Sequence, residues 1–324
     1  MNNKKLASVL LAAMVTVPAC ATTTSIVGTG DYVVKVENPT YKKGTGPRIS
    51  IDEGHNNYQT MEHRFKGFAD LVQGDGYQAK PLKATFTASS LANTDILVIC
   101  NALNAKNAPS NKDWVLPAPS AFTTEEITAV KEWVNAGGSL LLISDHMPFP
   151  SAAAKLGEAF NVEIQSNFAF NPYFTFRPGD MNLMRFYQYP GDKQGGTLLN
   201  TPIVKGNNPS EAVPYVITFT GSAFRMKPGV PFTPVMQLGK GTTILWPTDY
   251  AVMGPTTPSA GGDGLYQGVI MSSGKGRVAV FGEASMFSVG YADWENNYPM
   301  GFNNPEANHN QQFVLNLMHW LSNK

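Results

Sequence analysis

Two runs, Asp95 to Asn101 and Ser139 to Ile143, are apolar almost without alternation, and each gives way abruptly to polar residues. That is the pattern of a strand buried on both faces of a sheet. Arg48-Ile49-Ser50-Ile51-Asp52 and Tyr77 to Leu82 supply two further short strands. Between these two, Phe65, Phe68, Ala69, Leu71 and Val72 recur at helical spacing until Gly74-Asp75-Gly76 stops them. Thr123-Thr124-Glu125-Glu126 is a capping box, and Ile127, Val130, Trp133 and Val134 form one face of the helix it opens. That helix ends on Gly137-Gly138, where a left-handed terminus favours a residue without Cβ. Strands alternating with helices predict an α/β fold of the flavodoxin-like kind: a parallel sheet with helices on both faces and right-handed crossovers.

Pro148 and Pro150 forbid continuation of the strand that ends at Ile143, and Ala152 to Phe160 reads as a short helix. The alternation then fails. From 161 to about 266 the chain is aromatic, Pro-broken and strand-like, with Tyr215 to Phe219 and Thr242 to Trp246 as its clearest strands. We read it as a β-rich insertion or edge. Regularity returns in Gly268 to Ser272 and Arg277 to Phe281, joined by Gly274-Lys275-Gly276, a hairpin pattern. A closing helix carries Phe313, Val314, Leu317, Met318 and Leu321. Residues 47–324 thus read as a single domain with its insertion at about 161–266. Residues 21–46, with a strand pattern at Asp31 to Val36, read as a tether or an edge strand.

In open α/β sheets ligands bind beyond the carboxyl ends of the strands. Three such ends carry Asp52/Glu53/His55, Asp145/His146 and Glu283/Ser285. Carboxylate and imidazole gathered at one edge serve as an acid–base pair or as metal ligands. The candidate catalytic set is therefore Asp52, His55, Asp145, His146 and Glu283, with Glu53, Asn56, Asn101 and Ser285 as ligand contacts. Carboxylates gathered away from water repel one another and need a compensating positive charge. A divalent metal would supply it, and a neighbouring Arg or His would do so equally. No specific metal motif is present, so the cofactor stays open. The bland alternatives are that Asp52 and Asp145 cap loops and that Glu283 pairs with Arg48 or Arg277. His63 and His319 read as structural, and His309 as the marker of a helix start. Cys100 lies inside an apolar strand with nothing basic beside it, which describes an inert thiol. No G-x-S-x-G or phosphate-binding glycine loop occurs.

Residues 1–20 read as a signal peptide, with Lys4 and Lys5 ahead of a short apolar core. Val17-Pro18-Ala19-Cys20 resembles a lipobox that would place a lipid on Cys20, whereas Ala19-x-Ala21 suits ordinary cleavage before Thr22. Either outcome implies export, as a periplasmic protein or an outer-membrane-anchored lipoprotein, with membrane contact only through the anchor. Without Lys4 and Lys5, 22 basic residues face 24 acidic ones, which gives no generic surface for nucleic acid. Only Cys100 then remains of the two cysteines, so the core alone must hold the fold.

The stretches from Pro47 to about Phe160 and from Val269 onward resemble the class I glutamine amidotransferase-like superfamily, in outline an uncharacterised exported bacterial branch similar to the trehalose-utilisation type. The residues concerned are Asp52-Glu53-Gly54-His55, Ala136-Gly137-Gly138-Ser139, Ser144-Asp145-His146 and Gly274-Lys-Gly-Arg-Val278 leading to Phe281-Gly282-Glu283. The resemblance implies a flavodoxin-like domain with its pocket at the elbow after the fourth strand. The nucleophilic cysteine of true amidotransferases is replaced there by Ser144-Asp145-His146, so glutaminase chemistry is not expected. Two expectations follow. One is a hydrolase-like enzyme acting on a small or carbohydrate-type envelope substrate. The other is a non-catalytic module that grips a glycan or similar ligand through aromatics such as Phe168, Phe170, Tyr173, Trp246 and Trp294.

Overall fold

The computed structural model describes residues 32–111, 113–171, 183–191, 195–249, 253–292 and 298–323. The leader, Cys20, Asp31, Tyr173 and Trp294 lie outside the described residues. The first half of the chain runs β1 (Arg48–Asp52), α1 (Lys66–Gly74), β2 (Gln78–Leu82), α2 (Ala88–Leu91), β3 (Ile96–Cys100), α3 (Thr124–Asn135), β4 (Ser139–Ile143) and α4 (Phe149–Ala159). Next come β5 (Val162–Ile164), β6 (Phe168–Phe170), β7 (Leu183–Tyr187), β8 (Gly196–Leu198), α5 (Pro202–Lys205), β9 (Tyr215–Phe219), β10 (Phe224–Met226), β11 (Thr233–Gln237), β12 (Thr243–Leu245) and β13 (Ser259–Gly261). The chain closes with β14 (Tyr266–Ser273), β15 (Gly276–Phe281), β16 (Val289–Ala292), β17 (Tyr298–Gly301) and α6 (Asn310–Leu321).

The main sheet has the order β2-β1-β3-β4-β15-β14-β11-β8-β7-β9. Its first five strands are mutually parallel. With β15 as the fifth parallel strand, this is the flavodoxin-like order, and its topological switch point lies between β1 and β3. Successive residues of one strand feed opposite cores. Ile96, Val98 and Cys100 pack with Phe65, Phe68 and Phe313 on the face covered by α1 and α6. Leu97 and Ile99 pack with Val130 and Val134 under α3. Both-face burial is why these strands read as apolar without alternation, and each fully buried Leu or Phe contributes about 1.5–3 kcal/mol.

Three sequence expectations are refined. The segment 161–266 is not a separate appendage: β8, β11, β7 and β9 continue the main sheet beyond the β14–β15 hairpin, while β13-β12-β6 form a small second sheet. Residues 32–36 are extended but carry no strand ladder; Tyr32, Val34 and Val36 lay their side chains on the main core instead. Helix α4 begins at Phe149, three residues early, because Pro150 fits the first helical turn, where no N–H is needed.

Candidate functional site

The carboxyl ends of β1, β3, β4 and β15 lie on one edge, and the polar contacts there fall into two groups. The first closes around His55, which is 5% exposed. Its Nδ1 meets Asp52 Oδ1 at 2.8 Å and its Nε2 meets Glu126 Oε1 at 2.8 Å. The ring lies 4.4 Å from Phe86 and 4.9 Å from Phe122, centre to centre. Asn57 donates to Asp52 Oδ2 at 2.9 Å and to the Cys100 carbonyl at 3.2 Å, bridging the switch point. Glu126 does two jobs. Its Oε2 accepts the Thr123 amide and hydroxyl at 3.0 Å, completing the capping box, and its Oε1 accepts the Phe86 amide at 3.2 Å beside His55. Burial alone would lower the His55 pKa, but the hydrogen bonds and charges of Asp52 and Glu126 outweigh it, so the net direction is up. For Glu126, burial pulls the other way and is outweighed by its Thr123, His55 and Phe86 contacts, so its pKa falls.

The second group is carried by β3, β4 and β15. Asn101 takes a left-handed conformation, φ 47°, and its Oδ1 accepts the Asp145 amide at 2.9 Å. A non-glycine residue with positive φ marks strain, and Asn is among the side chains that tolerate it best. The strained strand-end position is thus Asn101 after β3, whereas Ser144, Asp145 and His146 are not among the residues with positive φ. Asp145 Oδ1 accepts the His146 amide at 2.7 Å. Glu283, fully buried, accepts the amides of Ser285 at 2.7 Å and Met286 at 2.8 Å. Burial raises the Asp145 pKa despite the nearby His146. Burial, then the Asp145 charge, pushes Glu283 well above the ordinary carboxyl range. Burial, followed by the charges of Asp145 and Glu283, likewise raises the Cys100 thiol, which is 1% exposed. Such a thiol is held protonated and is a poor nucleophile.

Three buried polar atoms at this edge have no hydrogen-bond partner among the described residues: Asn101 Nδ2, Ser144 Oγ and Gln59 Oε1. Asn101 and Ser144 directly follow Cys100 and Ile143, the last pair of the β3–β4 ladder, and Tyr58, adjacent to Gln59, donates its amide to the Asn101 carbonyl at 3.0 Å. Buried polar groups left unpaired cost about 1–3 kcal/mol each. A chain of rings flanks the trio. Trp114 and Tyr58 both lie against Phe149 (6.4 and 5.5 Å), Phe149 lies 6.2 Å from His146, and His146 stacks on Phe168 at 4.6 Å and 15°. His146 Nδ1 donates to the Met147 carbonyl at 2.9 Å.

The five candidate catalytic residues therefore do not assemble as one set. Asp52 and His55 are taken up with Glu126, while Asp145, His146 and Glu283 stand with Asn101, and Asn57 links the two groups. Among the described residues no cluster of three or more His, Cys, Asp or Glu side chains could hold a metal ion. Glu53 binds the Met61 amide at 2.8 Å with Lys83 at 3.8 Å, Asn56 donates to the Leu103 carbonyl at 3.3 Å, and Ser285 caps Glu283. Glu283 pairs with neither Arg48, which binds Asp95, nor Arg277, which binds the Trp320 carbonyl and Asn323. Of the proposed aromatics, Phe168 joins the ring chain, while Trp246 packs against the main core. Glu126, Asn57 and Gln59 escaped sequence reasoning. Glu126 announced itself only as a cap, and nothing in the sequence marks the other two. A surface groove of about 700 Å³ lies between α2 and α3, lined by Phe86, Thr87, Thr124, Thr128 and Trp133, and shares Phe86 with the His55 group.

No protein family matches the chain, and no curated protein does. Its likenesses are to solved structures. The mmIFT52 N-terminal domain is 14% identical over 86% of this chain and 98% of that one, with a TM-score of 0.55. A ThuA-like protein from Bacteroides uniformis ATCC 8492 is 10% identical over 90% and 94%, with a TM-score of 0.44. A beta-galactosidase from Bacillus circulans sp. alkalophilus is 7% identical over 85% of this chain and 31% of that one, at 0.41. At these identities the likeness to mmIFT52 is one of fold.

Proposed function

We propose that the carboxyl edge of the sheet binds an uncharged, hydroxyl-rich small molecule of the carbohydrate type. The observation that supports it is the trio of buried atoms without partners, a donor on Asn101, an acceptor on Gln59 and the two-way hydroxyl of Ser144. A sugar hydroxyl both donates and accepts, so a vicinal pair satisfies such a mixed set. With Asp145 and Glu283 pushed toward their neutral forms by burial, the trio itself carries no charge to offset the desolvation of an anion, and the half-buried rings of Tyr58, Trp114 and His146 supply an aromatic flank. A few convergent polar groups beside aromatic walls is the usual make-up of a ligand site. Export and kinship with the amidotransferase-like superfamily belong to the same proposal, since an envelope protein meets such ligands.

A second reading, hydrolysis, draws on one observation: the buried Asp145–Glu283 pair, whose raised pKa values suit a general acid, beside the ring of His146. Titration calorimetry with a panel of neutral oligosaccharides, polyols and sugar phosphates tests the binding proposal. Neutral sugars should bind and sugar phosphates should not. Gln59→Leu and Asn101→Asp should each weaken binding about tenfold, the worth of one good hydrogen bond. Binding confined to the phosphates, or binding that both variants leave unchanged, would overturn it. Turnover of a bound glycoside that Glu283→Gln abolishes would favour the second reading.

A further inference from the structure

His55 is used by neither reading, yet it is the most completely bonded side chain at the edge. Both ring nitrogens face carboxylate oxygens at 2.8 Å. A neutral imidazole has one donor and one acceptor, so it can satisfy only one of these; the other contact then sets a lone pair against a carboxylate. Only the imidazolium makes both bonds.

We propose that Asp52, His55 and Glu126 form a protonation latch, in which charged His55 ties the loop after β1 to the start of α3 and releases one side when it loses its proton. Three chain segments meet at it. Asp52 ends β1 and is gripped by Asn57, which also reaches the Cys100 carbonyl across the switch point. Glu126 opens α3 through Thr123 and holds the Phe86 amide of the segment before α2. Among the described residues, the titratable groups facing the ring are Asp52 from β1 and Glu126 from α3, and its flanks are the uncharged rings of Phe86 and Phe122. Farther out, Glu53 is partnered by Lys83 at 3.8 Å.

The direction of the switch follows from the bonding. The folded state favours the imidazolium, so the latch is closed on the acid side and opens as pH rises through the folded His55 value. Release frees residues 53–58, which lead directly to Gln59 and to the amide of Tyr58 on Asn101. The consequence for ligand affinity, a loss on the alkaline side, rests on the binding reading above. The latch does not, and its test needs no ligand.

The test is a pH titration of the wild-type protein with labelled histidine by NMR, paired with amide hydrogen exchange corrected for its intrinsic pH dependence. The His55 signal, assigned by its loss in His55→Gln, should titrate above the free-histidine value of about 6.5. Exchange in 53–58 and at Phe86 should rise about tenfold or more across the same midpoint, the factor implied by loss of one hydrogen bond to a charged group. Glu126→Gln should lower both midpoints together. A His55 midpoint at or below the free value, or exchange that stays flat across it, would overturn the latch, and the wild-type measurement alone suffices for either result.

Discussion

Replacing Glu283 with Gln exposes the buried carboxyl pair to measurement. Glu283 has no solvent exposure, and its two oxygens accept the amides of Ser285 and Met286 at 2.7 and 2.8 Å. Burial, then the charge of Asp145, raises its pKa well above the ordinary carboxyl range. The folded protein therefore keeps a proton at pH values where the unfolded chain has lost it. Stability is fully present below the unfolded value, about 4.3 for Glu, and falls by about 1.4 kcal/mol per pH unit until the folded value is passed. Gln cannot ionise, so the variant lacks this slope. It has a different defect: its amide nitrogen must face one of two backbone N–H donors. One lost bond and an unsatisfied buried donor cost about 1–3 kcal/mol at every pH.

The two curves cross where the rise in the folded Glu283 value, in free energy, exceeds this penalty. Dividing that penalty by the slope places the crossing about 0.7 to 2 units above the unfolded value, at roughly pH 5 to 6.5. Urea unfolding at a series of pH values between about 4 and 8 measures both curves with the same denaturant slope. Wild type should be the more stable protein at the acid end and Glu283→Gln at the alkaline end. His55 titrates in both proteins and cancels in the difference. Parallel curves would refute the reasoning, because they would mean that Glu283 is ionised in the folded protein as readily as in the unfolded one.

Two other outcomes are accessible to simpler assays. Asn310 holds the outer edge of β9 by donating to the Ile217 carbonyl at 2.7 Å and accepting its amide at 3.1 Å; Asn310→Ala orphans both groups and should cost about 2–5 kcal/mol in urea unfolding, whereas a loss under about 1 kcal/mol would mean that water replaces the amide. Metabolic labelling with radioactive palmitate should mark the wild type and not Cys20→Ala, and an unlabelled mature protein starting at Thr22 would leave export standing without the anchor.

What could be read in advance was what periodicity encodes. The parallel strands β1 to β4, the hairpin β14–β15 and helices α1, α3 and α6 follow from apolar spacing and caps, because burial on one or both faces imposes a period. The pairing of 161–266 could not be read, since β5 to β13 are mostly three to five residues long and their order depends on long-range register. Side-chain amides were harder still. Asn303, Asn304 and Asn310 are all spent on backbone groups: those of Gly290, of Pro299 and Glu306, and of Ile217. Asn107 and Asn167 serve Val115 and Ala223 in the same two-bond manner. A side-chain amide has a donor end and an acceptor end that match a backbone C=O and N–H, and nothing local reveals which residues will supply them.

The site itself follows from a requirement that the sequence did pose: carboxylates gathered at one strand edge need compensation. Two different solutions stand side by side there. At Asp52 and Glu126 the compensation is an imidazolium shared between them, held at 2.8 Å on either side. At Asp145 and Glu283 burial is the largest influence and both pKa values rise, so the protonated form is favoured over the charged one. Sequence alone could not divide the acids in this way, because Glu126 lies 71 positions from His55 and presents itself as a helix cap. The division decides which residues remain for function. Asp52 and Glu126 both have His55 as their partner. The side-chain amide of Asn101, the hydroxyl of Ser144 and the side-chain carbonyl of Gln59 are buried without partners among the described residues, and under the binding proposal it is their unmet hydrogen bonds that a neutral ligand would complete.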